Sequence, residues 1–183
     1  SLGESEVSSI SFTTDKYGNQ CDSSISITNF PFSTNNNTST FTANHSSTDL
    51  PDLTTAQQSN GLNDASFLNG KEIVYSITPA NESFYNINLT NVAANTGLFV
   101  VKGCAPFTEV VAYDNQTVSG SRNLTLLNLH AGETYYILVS GNDANHSTSF
   151  DLSVEEFTCL PVRDLAFATA TAVTAQFTWQ APL

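Results

Sequence analysis

The chain has 183 residues, of which 40% are hydrophobic and only 12% charged, so its polar surface has to come from Asn, Ser and Thr rather than from ions. Five basic residues against 17 acidic ones leave a net charge of −12, which repels phosphate backbones and anionic membranes and argues against nucleic-acid binding. No apolar run approaches the ~20 residues of a membrane-spanning helix, which argues against membrane insertion.

Short polar side chains favour turns and strand edges over helices, and no segment carries a useful helical period. Residues 1–20 read as an N-terminal segment or linker. It starts with the polar SLGESE, which lacks the pattern of a secretory leader, and holds one candidate strand, VSSISFTT, before a turn-like KYGNQ. Strand candidates then recur at the spacing of a sandwich. SSISITNFPF (23–32) alternates through Ile25 and Ile27. The stretch 34–64 has no sustained period and reads as a long loop with one helical turn near TTAQQ. KEIVYSITP (71–79) alternates through Ile73, Tyr75 and Ile77, and SFYNINLTN (83–91) through Tyr85, Ile87 and Leu89. TGLFVVKGC (96–104) is continuously apolar, as a central strand would be, and VVAY (110–113) is short. NLTLLNL (123–129) and STSFDLSVEEF (147–157) complete the set.

The run LTLLNLHAGETYYILVS, residues 124–140, continues from the first of these last two strands toward the second. Leu129, Gly132 and Tyr135 form an L-x-x-G-x-x-Y spacing that suits a tyrosine corner, in which the chain turns at the glycine and the phenol bonds back to upstream backbone. Beyond it Tyr135, Ile137 and Val139 share one face of a strand, and Tyr136, Leu138 and Ser140 the other. The fold class that follows is all-β, an antiparallel, jelly-roll-like β-sandwich.

Several of these residues carry a resemblance to a known family. Cys21 with SSISI, the Pro31–Phe32 pair, NGKEIVYSITPANESFYNINLTN, TGLFVVKGC, LTLLNLHAGETYYILVSG and the closing STSFDLSVEEF together resemble the bacterial pre-peptidase C-terminal domain over residues 21–157. That resemblance implies a β-sandwich in a secreted multidomain protein, with an accessory rather than catalytic role beside proteases, polysaccharide-degrading enzymes or adhesins. Residues 158–183 are similar to the opening of a fibronectin type III domain, through Pro161, the strand around Leu165 and Trp179. Roughly seven strands close that sandwich, so the segment reads as the first strands of a second, Ig-like sandwich, truncated. Phe167, Val173 and Phe177 are then expected to stay exposed unless something covers them, and ordered Trp179 is expected to pack on a partner surface.

Three cysteines allow one disulfide with a leftover thiol, or three reduced thiols. If a bridge forms, the expected pair is Cys21 with Cys104, because Cys21 opens the first family-like strand, Cys104 ends a central one, and Cys159 lies in the linker.

Motifs of catalysis are missing: no H-E-x-x-H, G-x-S-x-G or G-x-x-x-x-G-K-[ST] occurs. Glu155 and Glu156 are adjacent on a strand and point to opposite faces, so they cannot act as a paired acid and base. His45 and His146, each in an Asn-His-Ser turn, and His130 before the corner read as surface turn residues. Oxygen-rich loops at Asn63 and Asp64 and at Asn142 and Asp143 are candidate calcium ligands, although neither matches an EF-hand; no other cofactor is expected. Tyr136, Tyr113, Phe107 and Phe84 are the aromatics that alternation leaves free to stack on a sugar. The expected function is a non-catalytic binding or presentation module of an extracellular or cell-surface protein. Its partner would be a polysaccharide or protein polymer, or neighbouring modules of the same protein if the chain is a stalk or filament unit.

Overall fold

The structure, a computed structural model, describes residues 16–157, 163–171 and 173–180. The candidate strand VSSISFTT, Cys159 and the side chain of Trp179 lie outside the described residues. The strands are β1 (Ile25–Ser26), β2 (Phe32–Asn37), β3 (Gln57–Gln58), β4 (Ile73–Ile77), β5 (Ser83–Val92) and β6 (Thr96–Lys102), followed by β7 (Glu109–Gln116), β8 (Gly120–Leu129), β9 (Tyr135–Gly141), β10 (Ser149–Phe157), β11 (Arg163–Ala170) and β12 (Ala175–Gln180). The helices among the described residues are short 3-10 turns, such as Cys21–Ser23, Leu53–Thr55 and Ala65–Leu68.

Two sheets make the expected β-sandwich. One runs β1-β4-β9-β6-β7-β3 and the other β2-β10-β5-β8. Pairing is antiparallel through both, with one correction to the sequence reading: the two-residue edge strands β1 and β3 pair parallel to β4 and β7. The main core lies between the sheets, built from the alternating residues read in the sequence. Tyr75, Ile77, Tyr135, Ile137 and Val139 come from the six-stranded sheet, and Tyr85, Ile87, Leu89, Phe150, Leu152 and Val154 from the four-stranded one.

A second apolar cluster sits on the opposite face of the six-stranded sheet. Val74, Phe99, Val101, Tyr113 and Leu138 point outward there and are covered by Leu53, Phe67 and Leu68 from the irregular segment. This explains why TGLFVVKGC reads as a continuous apolar run: both faces of that central strand are buried. It also places the 34–64 stretch. Its first residues extend β2 at the edge of the four-stranded sheet, and the rest crosses over to roof the other one. Residues 16–20 pack on this body as well, with Val74 N donating to Gly18 O at 2.8 Å and the Lys16 ammonium 3.5 Å from the centre of the Phe41 ring. The sandwich therefore begins before residue 21.

The tyrosine corner is formed. Tyr135 is buried, its hydroxyl accepts from His130 N at 2.9 Å and donates to Glu133 Oε2 at 2.9 Å, and Gly132 supplies the turn at φ +77°. Lys102 holds Glu133 at 2.8 Å and Glu109 at 3.0 Å, and its ammonium and the Tyr135 hydroxyl keep the Glu133 carboxyl below its ordinary value.

Strands β11 and β12 form a separate antiparallel pair. Phe167 faces Phe177 across it, ring edge to ring face at 6.0 Å, and both stay more than half exposed, as does Val173.

Candidate binding face

Alternation along the four-stranded sheet leaves one whole face outside the core. On β5 the outward residues are Phe84, Asn86, Asn88 and Thr90, and on β10 they are Asp151, Ser153, Glu155 and Phe157, all exposed or half-buried. The pairing registers line them up across strands. Asn35, Asp151 and Thr90 form one row, and Ser33, Ser153, Asn88 and Asn123 the next. Glu155 lies opposite Asn86, and Phe157, Phe84 and Asn128 end the series. At about 3.4 Å per residue the face runs roughly 20 Å from Asp151 to Phe157.

Each end of this face has a distinct character. At one end the Asp151 carboxylate is clamped, one oxygen accepting from the Asn35 amide and the other from the Asn91 amide. Shallow grooves of about 410 and 440 Å³ flank it. At the other end Phe157 and Phe84 are cross-strand partners, and a small groove past Phe30 and Glu156 leads to a cleft of about 620 Å³ at the end of the sandwich. Inside that cleft the Tyr85 hydroxyl donates to Glu156 Oε1 at 2.9 Å, and the Phe30 ring meets Tyr85 edge-on at 5.2 Å. Burial, reinforced by the Glu156 carboxylate, raises the Tyr85 phenol well above its usual value.

In the middle of the face β8 bulges opposite Asn86. There Leu126 adopts φ +52°, a left-handed conformation costly for a branched apolar residue, and is 44% exposed. Its N–H donates to Asn86 Oδ1 at 2.9 Å. Strain of this kind concentrates where a surface does work.

The residues singled out in the sequence fall elsewhere, with Phe84 the exception. Tyr113 and Phe107 are corrected by burial: both belong to the cluster under the irregular segment, Tyr113 stacked on Phe99 and Phe107 against His45, so neither shows a ring face to solvent. Tyr136 packs at the margin of the same cluster and is half-buried, and that burial raises its phenol. In the oxygen-rich loops, Asp64 Oδ1 already accepts from Ser66 N at 2.8 Å and Asp143 Oδ1 from Asn145 N at 2.9 Å. Asn63 is exposed and Asn142 half-buried. No group of three or more His, Cys, Asp or Glu side chains among the described residues could hold a metal ion.

Two further expectations change. His45 is no surface turn residue: it is 5% exposed, with Nδ1 2.6 Å from Glu72 Oε1 and Nε2 3.7 Å from the Cys21 sulphur. The expected Cys21–Cys104 bond is not formed; both are free thiols, Cys21 buried and Cys104 exposed, and burial with Cys104 nearby raises the Cys21 thiol. Neither Glu72 nor the meeting of these groups was visible in the sequence, where they are spread over more than 80 positions with no motif spacing.

No protein-family model matches the chain, and no curated protein matches it. Among solved structures, the pre-peptidase C-terminal domain of a collagenase from Bacillus anthracis is similar, with 14% identity, covering 79% of this chain and 100% of that one at a TM-score of 0.46. A carbohydrate-binding module in complex with calcium and xylotriose is 16% identical over 47% of this chain and 72% of that one, at a TM-score of 0.29.

Proposed function

We propose that the sandwich is a non-catalytic binding module of a secreted or cell-surface protein, and that it takes a polysaccharide across the outer face of the four-stranded sheet. The observation that carries this reading is a full sheet face left bare and furnished, row by row, with amides, hydroxyls and carboxylates that end at a pair of phenylalanine rings. Amides and hydroxyls both donate and accept, which matches the mixed donor and acceptor pattern of sugar hydroxyls. The rings supply apolar faces for the carbon side of a sugar, and Leu126 adds an apolar contact between them and Asp151. The net charge of −12 favours a neutral polymer over an anionic one.

Affinity electrophoresis against a panel of soluble neutral polysaccharides tests this. Phe84→Ala and Asp151→Ala should each weaken retention about tenfold, the equivalent of ~1.4 kcal/mol, with the folded melting curve retained. Retention unchanged in both variants, or no polysaccharide that retards the wild type, would refute the assignment.

A second reading is favoured by one observation, the exposed Phe167 and Phe177 on β11–β12. If this pair opens a fibronectin type III module, the chain is a stalk unit whose modules contact one another. That reading requires self-association that Phe167→Ser and Phe177→Ser abolish, seen by sedimentation, with no polymer bound.

A further inference from the structure

Where the irregular segment meets the first 3-10 turn and the β6–β7 loop, four side chains that the binding face does not use come together. Cys21 lies in the first 3-10 turn and Cys104 just after β6, at the start of the loop whose Phe107 ring lies 5.1 Å from the His45 ring, and Cys104 is close enough to help raise the Cys21 thiol. His45 Nε2 approaches the Cys21 sulphur at 3.7 Å. Glu72, fully buried, receives three donors on Oε1: Asn44 N at 3.0 Å, His45 N at 2.9 Å and His45 Nδ1 at 2.6 Å. The carboxylate therefore keeps the His45 proton on Nδ1 and leaves Nε2 as an acceptor facing the thiol. Glu72 Oε2 is buried without a hydrogen-bond partner. Leaving that oxygen unpartnered costs free energy, which the three donors on Oε1 offset only in part.

The two thiols differ in a useful way. Cys104 is exposed and open to solutes, while Cys21 is 3% exposed, with His45 Nε2 beside its sulphur. We infer that Cys104 and Cys21 are an exchange pair that closes into a disulfide on meeting a low-molecular-weight disulfide, with His45 as proton acceptor for Cys21.

The chemistry balances in two displacements. The Cys104 thiolate attacks one sulphur of the external disulfide; that S–S bond breaks, a mixed disulfide forms on Cys104, and the first external thiolate leaves with the proton that Cys104 released to solvent. Cys21 then passes its proton to His45 Nε2 and attacks the Cys104 sulphur. The Cys21–Cys104 bond forms, the bond to the external group breaks, and the second thiolate departs, the proton returning from His45 through solvent. Two protein thiols are oxidised and one external disulfide is reduced to two thiols. Burial pushes the Cys21 thiol up to about 12, so without a base beside it the second step has almost no thiolate to use. Closure ties the N-terminal turn to the β6–β7 loop, clamping the roof over the six-stranded sheet.

The test exposes the reduced full chain to oxidised glutathione, quenches at intervals and maps nonreduced peptides. In the wild type a glutathione adduct on Cys104 should appear first and give way to the Cys21–Cys104 link, and Cys21→Ser should retain the adduct. His45→Gln should form the adduct at the wild-type rate but close at least about tenfold more slowly, a split that a merely structural role would not produce. An adduct that persists in the wild type, a Cys104–Cys159 link, or closure of His45→Gln at the wild-type rate would overturn the inference. If His45→Gln loses its fold, the wild-type map decides alone, because without the Cys21–Cys104 link the pairing falls.

Discussion

The two sheets bury the same kind of inner face and treat their outer faces in opposite ways. Outside the six-stranded sheet Val74, Phe99, Val101 and Leu138 lie under a roof of Leu53, Phe67 and Leu68. Outside the four-stranded sheet Asn86, Asn88, Ser153 and Asp151 are half-buried and, among the described residues, no apolar roof covers them. The contrast separates stability from function: the roofed face adds a second core, and the bare one is free to meet a partner. Residues that hold the roof and residues that furnish the bare face should therefore respond differently to substitution.

The largest expected difference is between Phe67→Ala and Asn88→Ala. Phe67 is 2% exposed in the roof, and its truncation should cost about 3–5 kcal/mol. Asn88→Ala should stay within about 0.5 kcal/mol while weakening polysaccharide retention. Urea unfolding of both variants checks this, and equal costs would mean that the roof is not a core.

Next comes the corner at the end of the six-stranded sheet. Tyr135→Phe removes the hydroxyl that accepts from His130 N and donates to Glu133, and should lower stability by about 1 kcal/mol. An unchanged unfolding midpoint would show that the corner bonds add nothing to the packing of the ring.

On the bare face the sign should reverse. Leu126→Asn places a residue that tolerates the left-handed conformation at φ +52° and should raise stability by up to about 1 kcal/mol, while reducing affinity for the polymer. A variant that gains stability with binding untouched would remove Leu126 from the site.

The smallest effect is pH-dependent and belongs to the end of β9, a central strand of the roofed sheet. The His146 ring packs so closely on Gly141 that a Cβ there would overlap it, and burial lowers its imidazole below the ordinary 6.5. As pH falls below 6.5 the unfolded chain takes up this proton first. The folded state accordingly loses stability from that point down to the depressed folded value. His146→Gln should flatten the melting temperature over that window.

Much of the sandwich was legible because burial on one side imposes a period of two. Tyr85, Ile87 and Leu89, or Phe150, Leu152 and Val154, announce their strand and their inner face without any knowledge of the partner strand. The corner was legible for the same local reason, since Leu129, Gly132 and Tyr135 act within one turn. Of the aromatics expected as sugar platforms Phe84 lies on the bare face, whereas Tyr113 and Phe107 misled, because they lie under chain from residues 47–68, whose path no periodicity reveals.

The sequence by itself determined the long strands after residue 70 with their inward residues, the tyrosine corner and the polar, acidic surface chemistry, since each depends on neighbours a few positions away, but not β2 and β3 in the aperiodic stretch. Only the tertiary structure decided which outer face is roofed and which is bare, and that buried Cys21, His45 and Glu72 come together next to the exposed Cys104. Those outcomes depend on where an aperiodic segment crosses the sheet, and contacts between residues far apart in the chain leave no local pattern to read.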